Sequence, residues 1–177
     1  MYVAIVIGLI IAALVLYVTL QPNDFTVTRS AAIAVPASQV FPLINNFHLW
    51  DFWSPWAKLD PQMKTSFDGA ACGKGAVYSW AGNKEVGEGK ITITESQENE
   101  RICLTLEFFK PFRGTNFAEF TFDNLDQFTH VTWTMTGKLN FITKSIHQLI
   151  SMDRMIGSQF EQGLANLNSA AQKMAQV

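Results

Sequence analysis

The sequence has few charged side chains and no run of basic ones. Asp, Glu, Lys and Arg make up 16% of its 177 residues, whereas an average soluble chain has about 25%. The 13 Lys and Arg residues are scattered among 15 Asp and Glu residues, which gives a formal net charge of −2. We expect no nucleic-acid partner, because binding a phosphate backbone takes clustered positive charge.

Cysteine and histidine are equally scarce. The two cysteines and three histidines lie too far apart for a zinc-binding spacing, and two cysteines cannot build a disulfide-rich scaffold. The sequence also contains no recognisable Ser–His–Asp or Cys–His catalytic arrangement. We therefore expect no metal and no cofactor. Whether Cys72 and Cys103 pair stays open, since a disulfide needs their Cα atoms within about 7 Å.

Hydrophobic residues make up 48% of the chain, and its first segment consists of little else. No charged side chain occurs from Tyr2 to Leu20. At about 1.5 Å per helical residue, a run of about 20 residues spans the hydrocarbon core of a bilayer, which is about 30 Å thick. This run predicts a transmembrane helix, with the membrane contacted by residues 2–20.

Two alternatives to a membrane anchor have less support. A cleaved signal peptide usually has a basic start and a small-x-small cleavage site, and neither is present. A buried core helix would need apolar partners on every face. We predict a transmembrane anchor over residues 1–22, ended by Pro22, and a globular domain over residues 23–177. We expect a single-pass membrane protein, located in a bacterial inner membrane. The sequence does not determine on which side of the membrane the globular domain lies.

Alternating hydrophobic residues predict a sheet in the globular domain. Period-2 patterns run from Phe25 to Val35 and over residues 102–108, 118–122 and 131–135. Short helical segments are predicted after Pro36 and over residues 47–53, and glycine-rich turns separate strands between Asp68 and Gly89. A long amphipathic helix is predicted from about Lys144 to Lys173. Its apolar stripe consists of Leu149, Ile156, Phe160, Leu164, Leu167 and Met174.

This order of elements predicts an α+β fold in which a curved antiparallel sheet wraps around the C-terminal helix, the helix-grip arrangement. Short motifs recur along the domain: Arg29-Ser30, Val35-Pro36-Ala37, Trp53-Ser54-Pro55-Trp56, Gly73-x-Gly75-Ala76-x-Tyr78-x-Trp80-x-Gly82-Asn83, Val86-Gly87-Glu88-Gly89, Thr129-x-Val131-x-Trp133-x-Met135-x-Gly137, Met152-Asp153-x-Met155-Ile156-Gly157 and Phe160-Glu161-x-Gly163-Leu164. With these motifs, the chain from Gln21 to Leu167 resembles the START-like SRPBCC superfamily, in particular its polyketide cyclase/dehydrase branch. The resemblance implies a deep pocket between sheet and helix for lipids, sterols, polyketides or other apolar molecules. It implies no universal set of catalytic residues.

The candidate ligand-binding residues are large side chains predicted to face the space between sheet and helix. The same residues could equally pack a solid core, because burial of large rings is ordinary. The candidates are Trp53, Trp56, Tyr78, Trp80, Phe108, Phe120, Trp133, Met135, Asp153, Ile156 and Phe160.

Asp153 is the one carboxylate in this set and the only candidate catalytic residue. At about 100° per residue it falls on the apolar stripe between Leu149 and Ile156, where an unpaired carboxylate would cost several kcal/mol. It therefore needs a partner. Two interpretations stay open: a hydrogen bond that orients the helix, or a ligand-facing acid or base with a raised pKa.

Three functions remain. The favoured one is a membrane-anchored protein that binds a hydrophobic or amphipathic small molecule, such as a lipid or a polyketide-like compound. The alternatives are a polyketide cyclase/dehydrase-like enzyme that uses Asp153, and a non-enzymatic interaction or regulatory module whose pocket is a filled core. The residues favour binding over catalysis, and no protein partner can be named.

Overall fold

A seven-stranded antiparallel sheet forms the centre of the domain, in the strand order β1-β7-β6-β5-β4-β3-β2. The computed structural model describes residues 2–125, 127–139, 144–145 and 152–176. In chain order the elements are α1 (Tyr2–Leu20), β1 (Asp24–Ile33), α2 (Ala37–Asn45), two 3₁₀ helices (Phe47–Phe52 and Pro55–Lys58), β2 (Lys64–Gly69), β3 (Ala76–Ala81), β4 (Glu88–Gln97), β5 (Arg101–Lys110), β6 (Gly114–Leu125), β7 (Phe128–Lys138) and α3 (Met152–Met174).

The helices cover one face of this sheet, which we call the inner face. Alternate residues of the strands point to it and are buried, as in β5, where Ile102 and Leu104 are buried between partly exposed neighbours. α3 packs against β1 and α2, and its residues Phe160, Leu164 and Leu167 are buried. The predicted α+β helix-grip fold is confirmed.

Two tryptophans join the first 3₁₀ segment to α2. The indole Nε1 of Trp50 donates to the backbone oxygen of Ile44, and that of Trp53 donates to the oxygen of Leu43, both at 2.9 Å. Carbonyls in the last turn of a helix have no partner within the helix. The two indoles supply that partner and are themselves buried.

α1 differs from the other helices because none of its residues is buried. Within the part of the chain that the structure describes, it is the one helix long and apolar enough to cross a membrane. Its length, composition and place near the N-terminus fit a membrane span or a signal sequence.

The stripe predicted on the C-terminal helix is correct in its centre and wrong at its end. Phe160, Leu164 and Leu167 are buried and Ile156 is half-buried, but Met174 is 51% exposed. Met174 ends α3 after the buried residues Ala170 and Ala171, and turns follow it. The predicted stripe residue Leu149 lies outside the described residues.

Candidate ligand-binding cavity

A cavity of about 340 Å³ lies between the inner face of the sheet, the 3₁₀ helices and α3. Its volume is within the range of about 300–1,000 Å³ typical of small-molecule sites. Most of its wall is apolar, and aromatic rings form much of it. The aromatic lining residues are Trp50, Trp56, Tyr78, Trp80, Phe108 and Trp133.

Small residues in the central strands leave the space open. Ala118 of β6 lies between Leu104 of β5 and Met135 of β7 in the register of the sheet, and all three line the cavity. On β4, a Cβ added to Gly89 would lie 2.6 Å from the Trp80 ring. The glycine therefore lets this indole lie against the sheet and reach Phe108, at 5.8 Å between ring centroids.

The cavity is at one end of the sheet. The register brings the start of β1 to the end of β7, the start of β6 to the end of β5, and the start of β4 to the end of β3. The lining residues Met135, Asn116, Phe108 and Trp80 all lie near these strand ends. Because only residues 21–23 separate α1 from β1, the cavity is at the end of the domain to which α1 is attached.

The polar lining residues are Asp51, Ser54, Tyr78, Glu85 and Asn116. Asp51 and Glu85 line the cavity and are exposed, so they mark its opening to solvent. Burial, and then the charge of Asp51, raise the pKa of Tyr78 to about 12. The loop that carries Glu85 is held on the wall by a 2.9 Å hydrogen bond from Trp80 Nε1 to the oxygen of Val86.

A model of the polyketide cyclase/dehydrase and lipid transport family matches residues 24–172. The chain belongs to this family. No curated protein matches the sequence, but solved structures share the fold of the family domain. A Staphylococcus aureus protein of unknown function is 11% identical, with a TM-score of 0.64 over 88% of this chain and 98% of that one.

Two further structures show the same likeness to the family domain. A Chromobacterium violaceum protein is 14% identical, with a TM-score of 0.59 over 85% of this chain and 98% of that one. The Aha1 dimer from Colwellia psychrerythraea is also 14% identical, with a TM-score of 0.57 over 83% and 96%. At such identities the likeness shows the fold alone.

Seven of the eleven predicted ligand-binding residues line the cavity of this family domain, and four do not. Those on the wall are Trp56, Tyr78, Trp80, Phe108, Trp133, Met135 and Ile156. Trp53, Phe120 and Phe160 lie behind the wall in the core, each at most 1% exposed. All three contact Trp133: Phe160 stacks on it at 3.8 Å between centroids, while Phe120 lies at 4.7 Å and Trp53 at 5.7 Å.

Asp153 lies on the surface of α3, outside the cavity. Its side chain is 59% exposed, it does not line the cavity, and the hydrogen bond and charge of Arg29 hold its pKa below the ordinary value. Its side chain is exposed because Asp153 lies at the edge of the buried stripe of α3, beside the edge strand β1. The 2.9 Å salt bridge to Arg29 corresponds to the alternative in which Asp153 orients the helix.

Arg29 connects β1 to two turns of α3. Its Nη1 bonds Asp153 Oδ1 at 2.9 Å and its Nε bonds Glu161 Oε1 at 2.6 Å. Between these two acids, Gly157 leaves room for the guanidinium, since a Cβ at that position would overlap it. We call Arg29, Asp153, Gly157 and Glu161 the Arg29 clamp; it holds the helix on the sheet outside the cavity.

Apart from Trp56, sequence reasoning missed the lining residues that lie in loops and 3₁₀ helices. Asp51, Met63 and Glu85 line the cavity, but no strand or helix period places such residues. Leu104 and Leu106 could have been predicted, because they share the inner face of β5 with the predicted residue Phe108. Ala118 likewise shares the inner face of β6 with Phe120.

The thiols of Cys72 and Cys103 are free.

Proposed function

We propose that this chain is a membrane-anchored binding protein for a hydrophobic or amphipathic small molecule held in the cavity. The observation that carries the proposal is the apolar, aromatic-lined space of about 340 Å³ in a member of a lipid-transport and polyketide cyclase family. An apolar ligand placed there gains about 25 cal/mol for each Å² of its surface removed from water.

The position of the cavity supports the membrane anchor as part of this function. In the proposal, residues 1–22 stay attached as a single span and residues 23–177 form the binding domain. A hydrogen bond holds the connection between them against the domain: the Nζ of Lys144, which is buried, donates to the backbone oxygen of Gln21 at 2.7 Å. The cavity end of the sheet therefore stays next to the bilayer, where apolar ligands concentrate.

The two alternative functions have weaker support. The enzyme hypothesis depended on Asp153, which lies on the surface in a salt bridge with Arg29 and away from the cavity. The interaction-module hypothesis required a filled core between sheet and helix. The space beside Ala118 argues against it.

Filling the cavity tests the binding function. We expect Ala118→Phe to weaken binding by at least about tenfold, or about 1.4 kcal/mol, because the ring would occupy the space between Leu104 and Met135. The measurement is native mass spectrometry of co-purified lipids, together with titration of 1-octanol against the tryptophan fluorescence of the full chain in nanodiscs. Ala32→Phe is the matched control, since Ala32 is exposed on β1. Unchanged binding in Ala118→Phe would contradict the proposal.

Charging the apolar helix tests the anchor. An arginine at the centre of a membrane span costs about 2.5–3.5 kcal/mol on the insertion scale, so we expect Ile10→Arg with Leu14→Arg to release the chain from carbonate-washed membranes. Leu125→Arg, at an exposed site outside α1, should leave the chain in the membrane fraction.

Intact mass spectrometry should find the unprocessed chain of 19.8 kDa in the membrane fraction. A shortened, soluble product would instead identify a signal peptide.

A further inference from the structure

The cavity lining combines aromatic rings with negative charge. Six of its residues are aromatic, and they include four of the five tryptophans of the chain. Its charged residues are Asp51 and Glu85. Among the described residues that line the cavity, none is a lysine, an arginine or a histidine.

Four of the rings form a continuous row along the wall. Trp50 precedes Asp51 in the chain, and its ring centroid is 6.4 Å from that of Tyr78. Tyr78 and Trp80 are nearly parallel, with 6.3 Å between centroids and 19° between planes. The row continues to Phe108 on β5. Aromatic side chains therefore extend from the rim at Asp51 along the wall.

The backbone of Glu85, the second acidic residue, is fixed by hydrogen bonds within its loop. The nitrogen of Glu85 donates to Asn83 Oδ1 at 2.8 Å, and the nitrogen of Asn83 donates to Asp60 Oδ2 at 2.7 Å. Glu85 is thereby fixed in a loop that is also bonded to the indole of Trp80. No salt bridge joins Asp51 or Glu85 to another of the side chains that the structure describes.

Electrostatics then discriminates between ligand headgroups. The face of an aromatic ring carries partial negative charge and attracts a cation within about 6 Å of its centroid, most strongly for Trp. Carboxylates at the opening add Coulombic attraction for a cation and repulsion for an anion. Asp51 lines the same cavity as Tyr78 and, after burial, helps to raise the pKa of that phenol. A carboxylate or phosphate headgroup would meet like charge at the rim.

We propose that the cavity selects a cationic amphiphile, with the apolar chain inside and a quaternary or protonated amine at the rim between Asp51 and Glu85. This inference rests on the proposed binding function and adds the ligand class. Each end of the ligand then meets matching chemistry: the chain meets Leu104, Ala118 and Met135, and the ammonium meets aromatic faces and carboxylates.

Three probes with eight-carbon chains test the inference: octyltrimethylammonium, 1-octanol and octanoate. Each is titrated at neutral pH against the tryptophan fluorescence of the full chain in nanodiscs of digalactosyldiacylglycerol, a lipid that carries neither charge nor ammonium, with the signal of empty nanodiscs subtracted. We expect the Kd of octyltrimethylammonium to be at least about tenfold lower than that of octanoate, with 1-octanol between them. Octanoate binding as tightly as the cation would overturn the inference.

Charge-neutralising variants locate the effect. Asp51→Asn and Glu85→Gln should each reduce the ratio between cation and octanoate affinities several-fold. Glu98→Gln is the matched control, because it removes the same charge from the β4–β5 turn at the opposite end of the sheet. A drop in the ratio as large in Glu98→Gln as in Asp51→Asn would refute a local role for the rim.

The experiment separates this inference from the function on which it rests. If 1-octanol binds and the cation is not preferred, the cavity binds apolar ligands and only the inference is wrong. If none of the three probes binds, both the inference and the proposed binding function fail.

Discussion

Phe160→Ala is expected to lower the free energy of unfolding by about 3–5 kcal/mol, the usual cost of removing a fully buried phenylalanine. Phe160 has no exposed surface and stacks on Trp133 with 3.8 Å between centroids and 7° between planes. Its removal leaves a void between α3 and the sheet, behind the wall of the cavity. The measurement is urea unfolding of the full chain in nanodiscs, followed by tryptophan fluorescence.

Phe112→Ala provides the control for this loss. Phe112 is 49% exposed in the β5–β6 turn, and exposed substitutions usually change stability by less than about 0.5 kcal/mol. If Phe160→Ala cost no more than Phe112→Ala, α3 would not be packed on Trp133 in solution, and the cavity wall at Trp133 would lose its support.

The second prediction concerns the effect of Gly157→Ala on the free energy of unfolding. The test is whether the substitution lowers or raises it. In an ordinary helix this substitution stabilises by up to about 1 kcal/mol, since alanine has the higher helix propensity. Here the new Cβ would overlap the guanidinium of Arg29, which must move and weaken its ion pairs with Asp153 and Glu161. Because exposed ion pairs contribute up to about 1 kcal/mol each, we expect the helix-propensity gain to be cancelled and the net change to be a loss of up to about 1 kcal/mol. Urea unfolding of the full chain measures it.

A double-mutant cycle identifies the cause. In an Arg29→Ala background the overlap is absent, so Gly157→Ala should be neutral or stabilising. A loss that persists without Arg29 would mean that the substitution acts elsewhere on α3. Ligand binding should survive Arg29→Ala as long as the chain stays folded, because the Arg29 clamp is outside the cavity.

Most of the fold could be predicted because one physical rule, burial of apolar side chains with a fixed period, acts on every element. In β5, Ile102, Leu104 and Leu106 share a face in the sequence and are buried in the structure. The same rule failed for Asp153. A helical period assigns a residue to a sector of the helix, and the neighbouring strand decides whether the border of that sector is covered or open.

The candidate site was only partly predictable. Periodicity indicates which face of a strand or helix a side chain lies on, but not whether the side chain lines the cavity or lies behind its wall. Trp133 and Phe160 both point into the space between sheet and helix, yet only Trp133 lines the cavity. The rim residues Asp51 and Glu85 lie in a 3₁₀ helix and a loop, where no repeating pattern exists.

The sequence by itself determined the apolar N-terminal helix, the alternating strands, the amphipathic C-terminal helix and the family resemblance, because each depends on local order along the chain. Only the tertiary structure decided which side chains surround an open space, that Asp51 and Glu85 both line it, and that Arg29 pairs with Asp153. These depend on how strands far apart in sequence are paired and how closely α3 approaches them. Packing distances of a few ångströms separate a filled core from a cavity, and no pattern of residue types encodes them.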